Sequence, residues 1–140
     1  METYKHKVQY YETDKMGITH HSNYIRWMEE ARVNWLEKIG WSFEKIENLG
    51  MISPVVEINC KYINSTKFND LVEIKVSLKE YTGVKLIVKY EMINSKTKEI
   101  VLKGESKHCF TTKEGKIISI KKEYPDFDKS LKEELIKVGE

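Results

Sequence analysis

Between Tyr24 and Ile39 the apolar residues Tyr24, Trp27, Met28, Ala31, Trp35 and Ile39 recur at helical spacing. This i, i+3, i+4, i+7 pattern predicts a helix with one buried face, and its tryptophans and methionine make that face bulky enough for a core. Lys38 in the last turn and Gly40 just beyond it predict the helix stop. Ser22 or Asn23 is expected to cap the other end. Upstream, YKHKVQYY at 4–11 alternates as a first strand with Tyr4, Val8 and Tyr10 inward. Downstream, SFEKIENL at 42–49 predicts a short helical turn opened by Ser42 and ended by Gly50.

From Met51 the period changes to two. MISPVVEINCKYI directs Val56, Ile58, Cys60 and Tyr62 to one face, with Pro54 near the strand's start, where a missing N–H does least harm. LVEIKVSLKEY sets Val72, Ile74, Val76 and Leu78 against Leu71, Glu73 and Lys75. Thr82-Gly83 joins this strand to VKLIVKYEMI as a hairpin, and NSKTKE is the next turn. IVLKGESKHCFTT is the last long strand, with a short final strand expected at IISI. A loop containing Pro125 and a short C-terminal helix over 130–138, opened by Asp128 or Ser130, complete the chain. Connections this short pair the later strands antiparallel. The expected fold is α+β, one domain over 1–140, with an antiparallel sheet of five to six strands wrapped around one long central helix. Exposed sheet edges point to oligomerisation by edge pairing.

Composition narrows the class. The chain has 140 residues, 40% hydrophobic and 33% charged, which describes a globular protein long enough for a real core. Its net charge of +2, from 24 basic and 22 acidic residues, is too balanced to argue for nucleic acid as a partner. No apolar run has the length of about 18–20 residues that a membrane span requires. METYKHKVQYYETD has no apolar signal region, so a cytoplasmic location is expected. Cys60 and Cys109 fall in strand-like stretches and are expected to be reduced.

The chemistry-bearing stretch is the polar loop before the long helix, with Asp14, Gly17, His20 and His21. Asp14 has two readings. It forms an Asx-turn or offsets the helix dipole, or it acts on an acyl carbonyl as nucleophile or general base. In the second reading Gly17 allows the tight turn, and N–H groups around His21 receive the developing oxyanion. A metal held by His20 and His21 with Asp14 or His108 is not expected, because adjacent histidines project in different directions and no second ligand pair is present. Glu12 is a second carboxylate near Asp14, and His6 is expected at the surface.

The residues Tyr11, Thr13-Asp14, Gly17, His21, Asn23-Tyr24, Glu29 and Ala31-Arg32 form the pattern D-x-x-G-x-x-x-H-x-N-Y-x-x-x-x-E-x-A-R. This pattern resembles the hotdog-fold thioesterases of the 4-hydroxybenzoyl-CoA and Tol–Pal-associated acyl-CoA thioesterase type, over about the first 120 residues. The resemblance implies a single hotdog domain, a homodimer or homotetramer, hydrolysis of an acyl-CoA thioester, and no cofactor or metal. It assigns Asp14 as nucleophile or general base and the His21 backbone N–H as oxyanion donor. His20 is expected to face the acyl pocket, where the family often has Tyr or Phe. Tyr24, with Trp27 and Met28, fits either an acyl tunnel or core packing. Lys67, and Lys85 beside Thr82, are candidate contacts for the CoA nucleotide by position. A carrier-protein thioesterase and a non-catalytic acyl-CoA-binding hotdog protein are the alternatives. The D-x-N-x-x-H pattern of hotdog hydratases is absent.

Overall fold

The computed structural model describes residues 3–139, with side chains through 135. Its strands are β1 (Tyr4–Lys7), β2 (Val55–Tyr62), β3 (Leu71–Tyr81), β4 (Leu86–Asn94) and β5 (Ile100–His108). The helices are α1 (Ser22–Lys38), α2 (Phe43–Asn48), α3 (Ile120–Glu123) and α4 (Pro125–Gly139). The strands form one antiparallel five-stranded sheet in the order β1-β3-β4-β5-β2. β1 pairs with β3 in the register Tyr4↔Ile74 through Lys7↔Leu71.

The helical period at 24–39 is realised as α1, whose residues Tyr24, Trp27, Met28, Ala31, Trp35 and Leu36 are buried. Full burial of a side chain the size of Met28 or Leu36 contributes roughly 1.5–3 kcal/mol. Gly40, with φ +92°, ends the helix in the left-handed region that a glycine adopts at least cost. At the other end, α1 begins at Ser22 itself, so neither Ser22 nor Asn23 precedes the first turn as a cap. α2 is capped as expected, the Ser42 side chain accepting the Lys45 N–H.

Several expectations are corrected. β1 ends at Lys7, and Tyr10–Glu12 form a 3-10 turn that leaves Tyr10 outward and 76% exposed. β2 forms as expected and lies at a sheet edge, where Val56 and Tyr62 of its apolar face are exposed. IISI does not form a strand: Ile117 makes one isolated bridge to Thr111, and Ser119 caps the helical turn α3 instead. Pro125 is not in a loop but is the first residue of α4, where its missing N–H has no intrahelical partner to lose. At 15 residues α4 nearly matches the 17 of α1, so the described residues include two long helices. Among the described residues no helix is long and apolar enough to cross a membrane. Cys60 and Cys109 are both free thiols.

Two compact units are distinguished: Met1–Arg32 with Cys60–Val76 and Tyr90–Gly104, and Val33–Asn59 with Ser77–Lys89 and Glu105–Glu140. The first has Trp27, Ile74, Tyr90 and Met92 in its core. The second is centred on aromatic packing: Phe127 of α4 stacks on Trp41 at 4.3 Å and meets Phe110 edge-on at 5.4 Å.

α4 is tied to β3 by a polar bond. The Tyr81 hydroxyl donates to Asp128 Oδ1 at 2.6 Å, and Lys132 Nζ lies 3.0 Å from Asp128 Oδ2. Burial and the adjacent carboxylate push the Tyr81 hydroxyl pKa up. Burial alone would raise Asp128, but Tyr81 and Lys132 outweigh it and hold the carboxyl below its ordinary value. Tyr81→Phe is expected to lower unfolding free energy by about 1–3 kcal/mol in urea titration. The Asp128 contribution is present above the unfolded carboxyl pKa and is lost as pH falls through the lower folded value. Tyr81→Phe therefore also loses less stability on acidification than the parent protein.

Candidate active site

The loop before α1 is a narrow ladder within the first unit. Its root is the His20 N–H donating to the Glu12 carbonyl at 2.8 Å, and Thr13 bridges Thr19 above that. The Asp14 N–H then donates to the Ile18 carbonyl at 2.8 Å, and the Gly17 N–H to the Asp14 carbonyl at 3.0 Å. Gly17 closes the tip with φ +82°, where a side chain would strain the backbone. Asp14 Oδ1 accepts the Met16 N–H at 2.8 Å, so the Asx-turn reading is realised. Among the described residues, Oδ2 has no hydrogen-bond partner. Asp14 is half-buried, which leaves one oxygen free for chemistry on a side chain the other oxygen holds still.

The returning arm is sewn to the segment ahead of β3. Ile18 bridges Lys67, the Thr19 N–H donates to the Thr66 carbonyl at 2.8 Å, and the two threonine hydroxyls lie 2.6 Å apart. The Tyr24 hydroxyl lies 3.1 Å from Thr66 Oγ1, so Tyr24 packs in the core and also anchors the loop.

At the helix start, His20 supplies the cap that the sequence placed on Ser22 or Asn23. Its Nδ1 accepts the Ser22 N–H at 3.3 Å and lies 2.8 Å from Ser22 Oγ. His21 stacks on the His20 ring at 4.4 Å and meets Tyr62 edge-on at 6.2 Å. Tyr62 also lies 5.6 Å from the Tyr24 ring. Among the described residues the His21 N–H has no acceptor, although it sits at the N-terminus of a 17-residue helix. A free N–H there is what a developing oxyanion needs.

Below the ladder lies a polar knot. Glu12 is 4% exposed, and its Oε1 accepts from His6 Nε2 at 2.9 Å and the Gln9 N–H at 2.8 Å. Its Oε2 accepts the Trp27 indole N–H at 2.7 Å. Burial alone would raise the Glu12 carboxyl pKa, but these three donors outweigh it and hold it below the ordinary value. Glu12 is therefore a carboxylate fully engaged in structure, unlike Asp14. His6 is not at the surface as expected: its side chain is 12% exposed, its ring lies 4.4 Å from Trp27, and Nδ1 faces Glu30 Oε2 at 3.2 Å.

Asp14, Gly17, His20, His21, Tyr24 and Lys67 thus fall in one unit around one loop. Lys67 also lines a surface cleft of about 370 Å³ with Ile18, Thr66, Asp70, Lys96 and Glu99. Thr82 and Lys85 belong to the second unit. There the Thr82 hydroxyl accepts the N–H groups of Val84 and Lys85 and so builds the β3–β4 turn. Sequence reasoning missed Tyr62 and Thr66 as site residues, because both reach the loop from more than 40 residues away and carry no motif. Among the described residues no cluster of three or more His, Cys, Asp or Glu side chains is arranged to hold a metal ion.

Comparison with known proteins gives one answer. YneP of Bacillus subtilis (strain 168), provisionally named an acyl-CoA thioesterase, is 34% identical over 122 residues, covering 86% of this chain and 88% of that one. A protein of Aquifex aeolicus (strain VF5), provisionally named an esterase, is 38% identical over 120 residues, covering 86% and 91%. The crystal structure of a DHNA-CoA thioesterase from Staphylococcus aureus superposes with a TM-score of 0.92 at 30% identity, over 99% of this chain and 95% of that one. The Thioesterase-like superfamily matches residues 8–135. The α+β sheet and helices are those of the hotdog fold, and the chain is a thioester hydrolase belonging to the Thioesterase-like superfamily.

Proposed function

We propose that this protein hydrolyses an acyl-CoA thioester to the free acid and CoA, with Asp14 and the His21 N–H at the reacting centre. The observation that carries this reading is that one loop holds both a half-buried carboxylate with one oxygen outside its turn bond and, at the start of α1, an N–H without an acceptor among the described residues. In the general-base route, Asp14 Oδ2 takes a proton from water, and the resulting hydroxide attacks the thioester carbonyl. The oxyanion is held by the His21 N–H and the helix dipole, and collapse of the intermediate expels CoA thiolate, which takes up the proton. In the nucleophilic route, Oδ2 itself displaces the thiolate, and water then hydrolyses the mixed anhydride. Lys67, beside Ile18 on the rim of the cleft, is proposed to meet a CoA phosphate. The free Cys60 and Cys109 fit a reducing compartment, and we assign the reaction to the cytoplasm.

We further propose a homodimer joined through β2. The support is an edge strand whose Val56 and Tyr62, on one face, are 61% and 48% exposed, with Val55 of the opposite face 44% exposed, apolar surface that an unpaired edge rarely carries.

Two outcomes are expected. Free-thiol release from a panel of acyl-CoAs, acetyl through palmitoyl plus benzoyl, gives turnover that Asp14→Asn lowers by about 10²–10⁴-fold. No turnover on any CoA thioester by the folded protein would overturn the reading, and turnover on carrier-protein thioesters alone would replace its substrate. For the interface, Val56→Lys converts the dimer to monomer in light scattering, whereas an unchanged mass would remove β2 as the contact.

A further inference from the structure

Glu12 is two residues before Asp14, and its backbone carbonyl accepts both the His20 N–H at 2.8 Å and the Asn23 side-chain amide at 3.0 Å. The residue after His20 is His21. The orientation of residue 12 therefore sets where both arms of the ladder leave the fold, one toward Asp14 and the other toward the His21 N–H. The loop closes within six residues by the Thr13–Thr19 bridge and the Asp14–Ile18 bond, so it has little slack to absorb a tilt at its root.

What orients residue 12 is its side chain. Three N–H donors converge on its two oxygens, from Gln9 beside it, Trp27 on α1 and His6 on β1. An amide in its place would turn an NH2 group toward at least one of those donors, so only a carboxylate satisfies all three. His6 is held in turn from its other side. Nδ1 faces Glu30 Oε2 at 3.2 Å, and that oxygen also accepts the Tyr4 hydroxyl at 3.1 Å. With a carboxylate oxygen at each ring nitrogen, the imidazole donates to both only when doubly protonated. Trp27 covers one face of the ring, and Val72 is the β3 residue opposite His6. The groups facing His6 are therefore Glu12, Glu30, Trp27 and Val72, with Tyr4 reaching it through Glu30.

We propose that His6 and Glu12 are a positioning pair for the reacting centre, holding Asp14 and the His21 N–H in register without touching substrate. The proposal rests on the Asp14 and His21 reading above. A displacement of about 1 Å at a reacting group can cost on the order of 10²-fold in rate.

The test measures kcat and KM on the best acyl-CoA for the parent protein and for His6→Leu, His6→Gln, Glu12→Gln and Asp14→Asn, each checked by circular dichroism. His6→Leu and Glu12→Gln are expected to lose about 10–10²-fold in kcat with KM changed less than about threefold, the pattern of an interaction felt in the transition state. His6→Gln keeps an N–H for Glu12 and is expected to recover part of that loss. A folded His6→Leu or Glu12→Gln with the parent kcat overturns the proposal, as does a rise in KM at constant kcat. If His6→Leu does not fold, His6→Gln and Glu12→Gln carry the test. An active Asp14→Asn would instead overturn the reading beneath it, so the two failures are separable.

Discussion

The carboxylate of Glu12, buried and bonded by three donors, is the interaction on which the rest of the candidate site depends. A lone buried carboxylate would be strongly disfavoured, yet each oxygen here is matched by N–H groups from separate stretches of chain. That arrangement fastens β1, the turn before the loop and α1 to a single side chain. The same helix that donates through Trp27 starts at Ser22, one residue after the N–H proposed to hold the oxyanion.

The division of labour between the two neighbouring carboxylates follows from their surroundings. Glu12 has both oxygens engaged by three donors, which hold its carboxyl below its ordinary value and leave it poorly placed to accept a proton or attack a carbonyl. Asp14 spends one oxygen on the Met16 N–H and keeps the other. Thr66 completes the support from the opposite side, meeting Thr19 and Tyr24 with one buried hydroxyl. The second unit is assembled on different terms, through stacked Trp41 and Phe127 and the Tyr81–Asp128 bond.

Much of the fold was legible in local pattern. The 3.6 period between Tyr24 and Trp35, ended by Gly40, located α1, and strict alternation with Thr82-Gly83 located β3 and β4. What was not legible depends on partners distant in sequence. Alternation alone set Val56 and Tyr62 on one face but cannot tell that β2 is an edge or that this face is exposed, since that follows from the strand order. IISI is rich enough in β-branched residues to read as a strand, but Ser119 followed by Lys122 is equally a capped turn. Pro125 read as a loop residue although the first helical position also suits proline. His6 read as a surface residue because its partner Glu30 comes 24 residues later. The motif from Asp14 to Arg32 located the loop and the family, and it was silent on the knot that holds the loop in place.

The central claim is that Glu12 fixes the root of the Asp14 loop, and the amide of His20 reports on it directly. Native-state hydrogen exchange at that N–H should show strong protection in the parent protein. In Glu12→Gln the protection should fall toward that of an open loop while β3 and β4 keep theirs, giving a local loss tied to one side chain. Unchanged protection at His20 in a folded Glu12→Gln variant would contradict the account, because the ladder would then stand without the carboxylate said to hold it.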